Sequence, residues 1–136
     1  MRKIDFIGVH CSASDLVIHD NIESIRMWHI ARGFTDIGYN FVILKNGTIC
    51  KGRPIEQIPA HIYGHNKNSI GICLTGNLIF SKEQFDSLRS LLIELLSEYG
   101  LTALDVLPHS AFNKNKTCPN FDLNLVLENL YQQQEK

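Results

Sequence analysis

A β-hairpin signal in the first half of the chain constrains the fold more than any other feature. Two apolar runs, residues 38–44 and 48–52, flank the dipeptide Asn46-Gly47. Asn-Gly between two strand-like runs favours a tight turn, because both residues tolerate a positive φ. We therefore expect a β-sheet that includes this hairpin.

Two further apolar runs predict additional strands. Residues 4–10 place apolar side chains on both alternating faces, and residues 69–75 form a nearly continuous apolar run that ends at Gly76. Such runs are typical of strands in a sheet that is covered on both sides. We expect the second run to form a central strand.

Helical spacing of apolar residues predicts a first and a last helix. The first is expected over residues 21–32, with Asp20 as its N-cap and Gly33 as its C-cap. The last is expected from about residue 121 or 122 to residue 131. A polar tail follows from about residue 132, and we expect it to fray.

Between them lies a segment with clear helix start and stop signals. Ser81-Lys-Glu-Gln84 resembles a capping box, and an apolar stripe follows it as far as Gly100. This helix is expected to cover one face of the sheet without a functional role. Residues 101–107 show no clear pattern, so their structure is left open.

Strands separated by helices, with one hairpin, indicate the α/β class. We predict a single domain over residues 1–136, in which a central mixed β-sheet is flanked on both faces by about three α-helices. In such sheets, functional residues gather at the strand ends and in the loops beyond them.

Composition limits the classes of ligand and partner. Charged residues make up 20% of the chain and the net charge is -1, so no basic field is available and nucleic acid is not expected as the main ligand. We find no signal peptide and no run of 18 apolar residues, so no membrane span is expected. We interpret Cys11, Cys50 and Cys73 as small buried thiols, because none lies in a Cys-x-x-Cys motif and no export signal precedes them.

The segment from His109 to Pro119 suggests chemistry more than packing. It combines an imidazole with the thiol of Cys118 and with Lys116, a cation that favours the thiolate. Imidazole nitrogen and thiolate sulfur suit zinc, and a catalytic zinc site has three protein ligands and one open position. His10, at the end of the first predicted strand, is the obvious third ligand. Taken alone, such a pair is more often a buried thiol and a surface imidazole.

Other polar residues have both a structural and a functional interpretation. The hydroxyl of Tyr39 could emerge at the sheet edge, although a strand tyrosine is often only a half-buried aromatic residue. The long connection over residues 53–68 carries His61, His65 and Asn66, and such connections commonly line a binding cleft. We interpret His29, on the first helix, as an interfacial histidine whose hydrogen bond is satisfied by a neighbour.

Several short motifs follow one another in order along roughly residues 4 to 130. They are Val9-His-Cys-Ser-Ala13, Trp28-His29, Gly38-Tyr-Asn-Phe41, Asn46-Gly-Thr48, Ala60-His61, Gly64-His-Asn66, Asn68-Ser-Ile-Gly71 and the segment His109–Pro119. This ordered set strongly resembles the type 2 family of zinc-dependent N-acetylmuramoyl-L-alanine amidases. That family includes compact phage lysins and is related to the animal peptidoglycan recognition proteins.

The resemblance implies one Zn²⁺ per chain and a role for each matched residue. The expected substrate is peptidoglycan, cut at the lactyl amide bond between N-acetylmuramic acid and L-alanine. Tyr39 and Lys116 are expected to act in catalysis. The expected metal ligands are His10, His109 and Cys118, and a glycan-peptide cleft is expected to include His61, His65, Asn66 and Asn68.

The chemistry expected of these residues follows from their types. Lys116 would stabilise an oxyanion, and Tyr39 would orient water or the carbonyl group or relay a proton. No carboxylate occupies a matched position, so the identity of the general base is left open. Two other readings are a non-catalytic peptidoglycan-binding module and a regulatory binder, since some phage members engage the phage RNA polymerase.

The resemblance also implies a setting for the protein. We expect a monomeric phage or prophage lysin that is made in the cytoplasm without a signal peptide. A holin would release it to act on thin periplasmic peptidoglycan.

Overall fold

A five-stranded sheet forms the centre of the computed structural model, which describes residues 2–134. Four of the strands run parallel to one another, and the remaining strand pairs antiparallel with its hairpin partner. The order across the sheet is β3-β2-β4-β1-β5. The strands are β1 (Phe6–Cys11), β2 (Phe41–Ile43), β3 (Ile49–Lys51), β4 (Ser69–Leu74) and β5 (Val106–Pro108).

Three α-helices cover the two faces of this sheet, as predicted. They are α1 (Ile22–Ala31), α2 (Lys82–Tyr99) and α3 (Leu123–Gln134). Short 3-10 turns occur at Val17–His19, Ala103–Asp105 and His109–Ala111. None of the helices described within residues 2–134 is both long and apolar enough to cross a membrane.

The two faces of the sheet have different cores because side chains alternate along each strand. On the face covered by α2 and α3, branched residues of β1 and β4 pack against helix leucines, as Ile7, Ile72 and Leu92 do. On the other face, Ile25 of α1 packs with Val42 and the buried thiol of Cys73. We call these the helix-pair face and the site face.

The hairpin, the central strand and the second helix confirm the sequence predictions. β2 pairs antiparallel with β3, and β4 lies at the middle of the sheet. The turn has three residues, 45–47, because Leu44 N–H donates to the carbonyl of Thr48 and Gly47 adopts a positive φ of 88°. Ser81 and Gln84 form the predicted capping box at the start of α2.

The ends of α1 and α3 correct the sequence predictions. Asn21, not Asp20, caps α1, since its side chain accepts a hydrogen bond from Ser24 N–H. The Asp20 carboxylate instead accepts from the Thr75 hydroxyl and from a backbone N–H. Gly33 follows the C-cap residue Arg32 and has a φ of 98°. α3 extends to residue 134, and the last two residues of the predicted tail lie outside the described residues.

Candidate metal centre

The sheet brings the three predicted metal ligands together at one edge. β1 and β5 are parallel neighbours, so their carboxyl ends meet, and His10 and His109 lie at these ends. The loop after His109 then returns over β1, where Cys118 Sγ accepts a 2.9 Å hydrogen bond from Cys11 N–H. One ligand atom from each of the three residues lies within 4.8 Å of the other two.

The donor set fits a catalytic zinc ion. Two imidazoles and one thiolate are ligands that zinc prefers, and three protein ligands leave one position open. All three residues line an open cavity of about 720 Å³, in which His10 is only 1% exposed and His109 and Cys118 are half-buried. The residues can thus hold a metal ion that remains accessible to water and substrate.

Burial keeps the two imidazoles neutral, as metal ligation requires. It lowers the pKa of His10 well below its usual value, with further lowering by the neighbouring His61 and His109. Burial also lowers the pKa of His109, and the charge of Lys116 adds to this effect. Each of the two imidazoles therefore has one nitrogen lone pair available to a metal ion near neutral pH.

The thiol of Cys118 differs from the sequence expectation. Its hydrogen bond with the Cys11 side chain, together with burial, raises the pKa of Cys118. The side chain of Lys116 is exposed and does not offset these effects. The same contact lowers the pKa of Cys11 to about 6, so the two thiols titrate as a pair, and metal binding requires the thiolate of that pair to be on Cys118.

Tyr39 and Lys116 line the same cavity as the three candidate ligands. The Tyr39 ring lies 5.1 Å from the His10 ring, between centroids. Burial raises the pKa of Tyr39 well above its usual value, so its hydroxyl keeps its proton and can donate a hydrogen bond. Lys116 approaches the cavity from the loop that joins His109 to Cys118.

The four residues predicted to bind substrate are separated by the fold. His61 and Asn66 line the cavity, but His65 and Asn68 are not among its lining residues. His65 is exposed and packs near Phe112, and the Asn68 amide donates to Asp5 at the far end of β1. This placement gives no support to a role for His65 and Asn68 in the cleft.

His61 and Asn66 are already engaged in internal hydrogen bonds. The Asn66 side-chain oxygen accepts from the N–H groups of His61 and Ile62, each at 2.9 Å, and so closes the loop that carries His61. Both ring nitrogens of His61 have partners, His10 and Ser69. These contacts indicate a supporting role in addition to lining the cavity.

Sequence reasoning missed residues whose roles depend on distant partners. Cys11, interpreted only as a buried thiol, donates its N–H to the candidate ligand Cys118. The Asn120 amide donates to Asn77 and joins the late loop to the loop after β4. Nothing in the local sequence signals either contact. His29 does confirm its prediction: it is buried, and its Nδ1 accepts from Gly38 N–H at 2.7 Å.

Comparisons with known proteins agree with this geometry. Residues 1–121 match the family model Amidase_2, described as N-acetylmuramoyl-L-alanine amidase. The endolysin of Escherichia phage T7 is 39% identical over 134 residues, which cover 90% of this chain and 84% of that protein.

Two solved structures share the fold over most of the chain. The N-acetylmuramoyl-L-alanine amidase LysC from Clostridium intestinale URNW has a TM-score of 0.86 at 29% identity, covering 96% of this chain and 87% of that one. A mutant of the Drosophila peptidoglycan recognition protein PGRP-LB, in complex with tracheal cytotoxin, has a TM-score of 0.76 at 25% identity, covering 88% and 76%. The chain therefore belongs to the N-acetylmuramoyl-L-alanine amidase family and is a peptidoglycan amidase similar to phage endolysins.

Proposed function

We propose that this chain is a zinc-dependent phage or prophage endolysin that hydrolyses the lactyl amide bond between N-acetylmuramic acid and L-alanine. The observation that carries the proposal is the convergence of His10, His109 and Cys118 within 4.8 Å, in a cavity that Tyr39 and Lys116 also line. The intact Cys118 ligand favours an enzyme over a non-catalytic binding module of the same fold.

The cavity suits a fragment of peptidoglycan as substrate. Its volume of about 720 Å³ is within the range of small-molecule sites. Aromatic and amide side chains, among them Trp28, Phe34 and Asn115, line it together with the cation of Arg32. The complex of the related recognition protein with tracheal cytotoxin supports a muropeptide as a ligand of this fold.

A zinc ion at this site would supply Lewis-acid chemistry, which activates water and polarises the amide carbonyl. Lys116 would place its ammonium near the carbonyl oxygen as negative charge develops there. The protonated hydroxyl of Tyr39 would orient water or the carbonyl by donating a hydrogen bond, or pass a proton towards the leaving amine. No carboxylate is among the described residues that line the cavity, so we assign the assistance of proton transfer to Tyr39.

The setting follows from the same proposal. An amidase of this kind acts on cell-wall peptidoglycan, and we propose that it works as a monomer after a holin has released it into the periplasm. Contact with a phage RNA polymerase remains a prediction from family resemblance.

The test combines metal content with product release. We expect about one zinc per purified chain, and release of L-alanyl peptide from defined muropeptides. Removal of the metal with a chelator should abolish release, and added Zn²⁺ should restore it. A metal-free protein that releases peptide at the full rate would overturn the zinc proposal. Zinc-loaded protein that releases no peptide would overturn the proposed reaction.

A further inference from the structure

Three short hydrogen bonds connect His10 to a backbone carbonyl on the loop before β4. His10 Nε2 lies 2.7 Å from His61 Nδ1, and His61 Nε2 lies 2.7 Å from Ser69 Oγ. The Ser69 hydroxyl in turn donates to the carbonyl oxygen of His65 at 2.8 Å. Ser69 is fully buried and His10 is nearly so.

The carbonyl at the end of this chain fixes the position of every proton in it. A carbonyl can only accept, so the Ser69 hydroxyl must donate to it. Ser69 Oγ is then an acceptor for His61 Nε2–H, and a neutral His61 has an unprotonated Nδ1. His61 Nδ1 must therefore accept from His10 Nε2–H, which leaves the lone pair on His10 Nδ1.

The opposite arrangement of protons would disable the site. If His61 Nδ1 donated to His10, Ser69 would have to donate to His61 and would no longer donate to the His65 carbonyl. His10 would then carry its proton on Nδ1, the only ring nitrogen left for a metal. The hydrogen-bonding pattern and the needs of metal ligation thus select the same tautomer.

Two glycines in the sheet leave space for the His61 ring. Gly8 of β1 and Gly71 of β4 are paired in register. A Cβ at Gly8 would lie 2.8 Å from His61 Cε1, and one at Gly71 would lie 2.9 Å from His61 Cγ. The two glycines thus leave space for the imidazole beside His10, and Asn66 holds the loop behind it.

We propose that His61 is a positioning residue of the metal centre, which holds His10 in the tautomer whose Nδ1 lone pair binds the metal. It acts through His10, not through the substrate. This inference rests on the proposed zinc site and deepens it. Outer hydrogen-bond partners of metal-bound histidines commonly change metal affinity by about 10- to 100-fold.

The direct test is the tautomer of His10 in the folded, zinc-free protein. Long-range ¹H–¹⁵N NMR spectra distinguish a proton on Nε2 from one on Nδ1. We expect the wild-type protein to show the Nε2–H form of His10 and the His61→Leu variant to show a mixture. A wild-type spectrum dominated by Nδ1–H would overturn the proposal, whatever the variant does.

The second test is zinc affinity, measured by competition with a chromophoric chelator. His61→Leu should weaken zinc binding by about 10- to 100-fold. His61→Asn, whose Oδ1 can replace Nδ1 as the acceptor, should recover most of the loss. His19→Leu is the matched control, because it removes a 2.7 Å imidazole–serine hydrogen bond outside the cavity, and it should leave zinc affinity unchanged.

The outcomes separate this inference from the proposed function. Zinc binding by His61→Leu as tight as that of the wild type would overturn the positioning role but leave the enzyme's zinc site intact. Failure of the wild-type protein itself to bind zinc would overturn the proposed function. If His61→Leu does not fold, Ser69→Ala provides the same comparison, with a shift of the His10 spectrum as the expected result.

Discussion

The two faces of the sheet are formed by the same strands, but one face packs the main core and the other carries the candidate metal site. On the helix-pair face, β1 and β4 present branched residues such as Ile7 and Ile72, which are fully buried. On the site face, the same strands present Gly8, His10 and Gly71, which leave space and supply ligands. Because strand side chains alternate, one six-residue segment can serve both purposes.

This difference indicates that stability and activity are separable in this fold. The helix-pair face holds most of the buried apolar residues in the two core clusters, and apolar burial is the main favourable contribution to folding. The site face has fewer apolar contacts and several buried polar groups that are satisfied by one another. Changes on one face should therefore affect one property and largely spare the other.

The largest expected effect is on the site face, from Cys118→Ser. A serine hydroxyl is a poor replacement for a thiolate on zinc, so zinc content should fall and amidase release should drop to background. The free energy of unfolding of the zinc-free protein should change by less than ~1 kcal/mol, as at sites outside the main core. Elemental analysis, peptide release and denaturant titration measure the three quantities. A full complement of zinc would remove Cys118 from the ligand set.

On the helix-pair face, Leu92→Ala should have the converse effect. Leu92 of α2 is fully buried, and truncating a buried leucine costs about 2–5 kcal/mol through lost burial and a new cavity. Urea unfolding of the zinc-free protein measures this loss. The turnover and zinc content of the folded variant should match those of the wild type, and a large loss of either would contradict the separation of the faces.

Smaller effects are expected from Lys116→Ala and Tyr39→Phe, which change the cavity without removing a ligand. Each should retain normal zinc content and lose at least about tenfold in turnover, since each removes one group proposed to act in the transition state. Steady-state kinetics on a defined muropeptide measures the loss. Arg32→Ala, a cation on the cavity wall, serves as the comparison for a general loss of positive charge. Near-normal turnover in either variant would reject its assigned role.

The smallest effect is a pH dependence of stability that arises from His29. Burial, and then the charges of Arg32 and Arg53, lower the pKa of His29 to about 4 from its usual value of 6.5. Between these two values the unfolded chain binds more protons, so the contribution of His29 is complete above pH 6.5 and is lost as the pH falls towards 4.

His29→Asn should reduce this loss. The Asn Oδ1 can still accept from Gly38 N–H but does not titrate, so the unfolding free energy of the variant should fall less steeply than that of the wild type between pH 6.5 and 4. Denaturant titrations of the zinc-free proteins at several pH values measure the two slopes. Identical slopes would show that His29 does not titrate on unfolding.

Local sequence patterns were sufficient to predict most of the architecture. The hairpin, the central strand and the capping box of α2 depend on neighbouring residues, so periodicity and turn chemistry predicted them correctly. Local pattern did not distinguish Asp20 from Asn21 as the cap of α1, because the choice depends on Thr75, far along the chain, which binds the Asp20 carboxylate.

Ordered motifs and alternating side chains are local properties of the chain, so the amino-acid sequence was enough to identify the family, the α/β class and the residue types able to hold zinc. Which polar residues share a cavity became clear from the folded chain. It placed His65 and Asn68 away from the centre, and it linked His61 to His10 across the Gly8–Gly71 pair. The physical reason is that hydrogen-bond partners are chosen by strand register and loop closure, which join residues more than fifty positions apart.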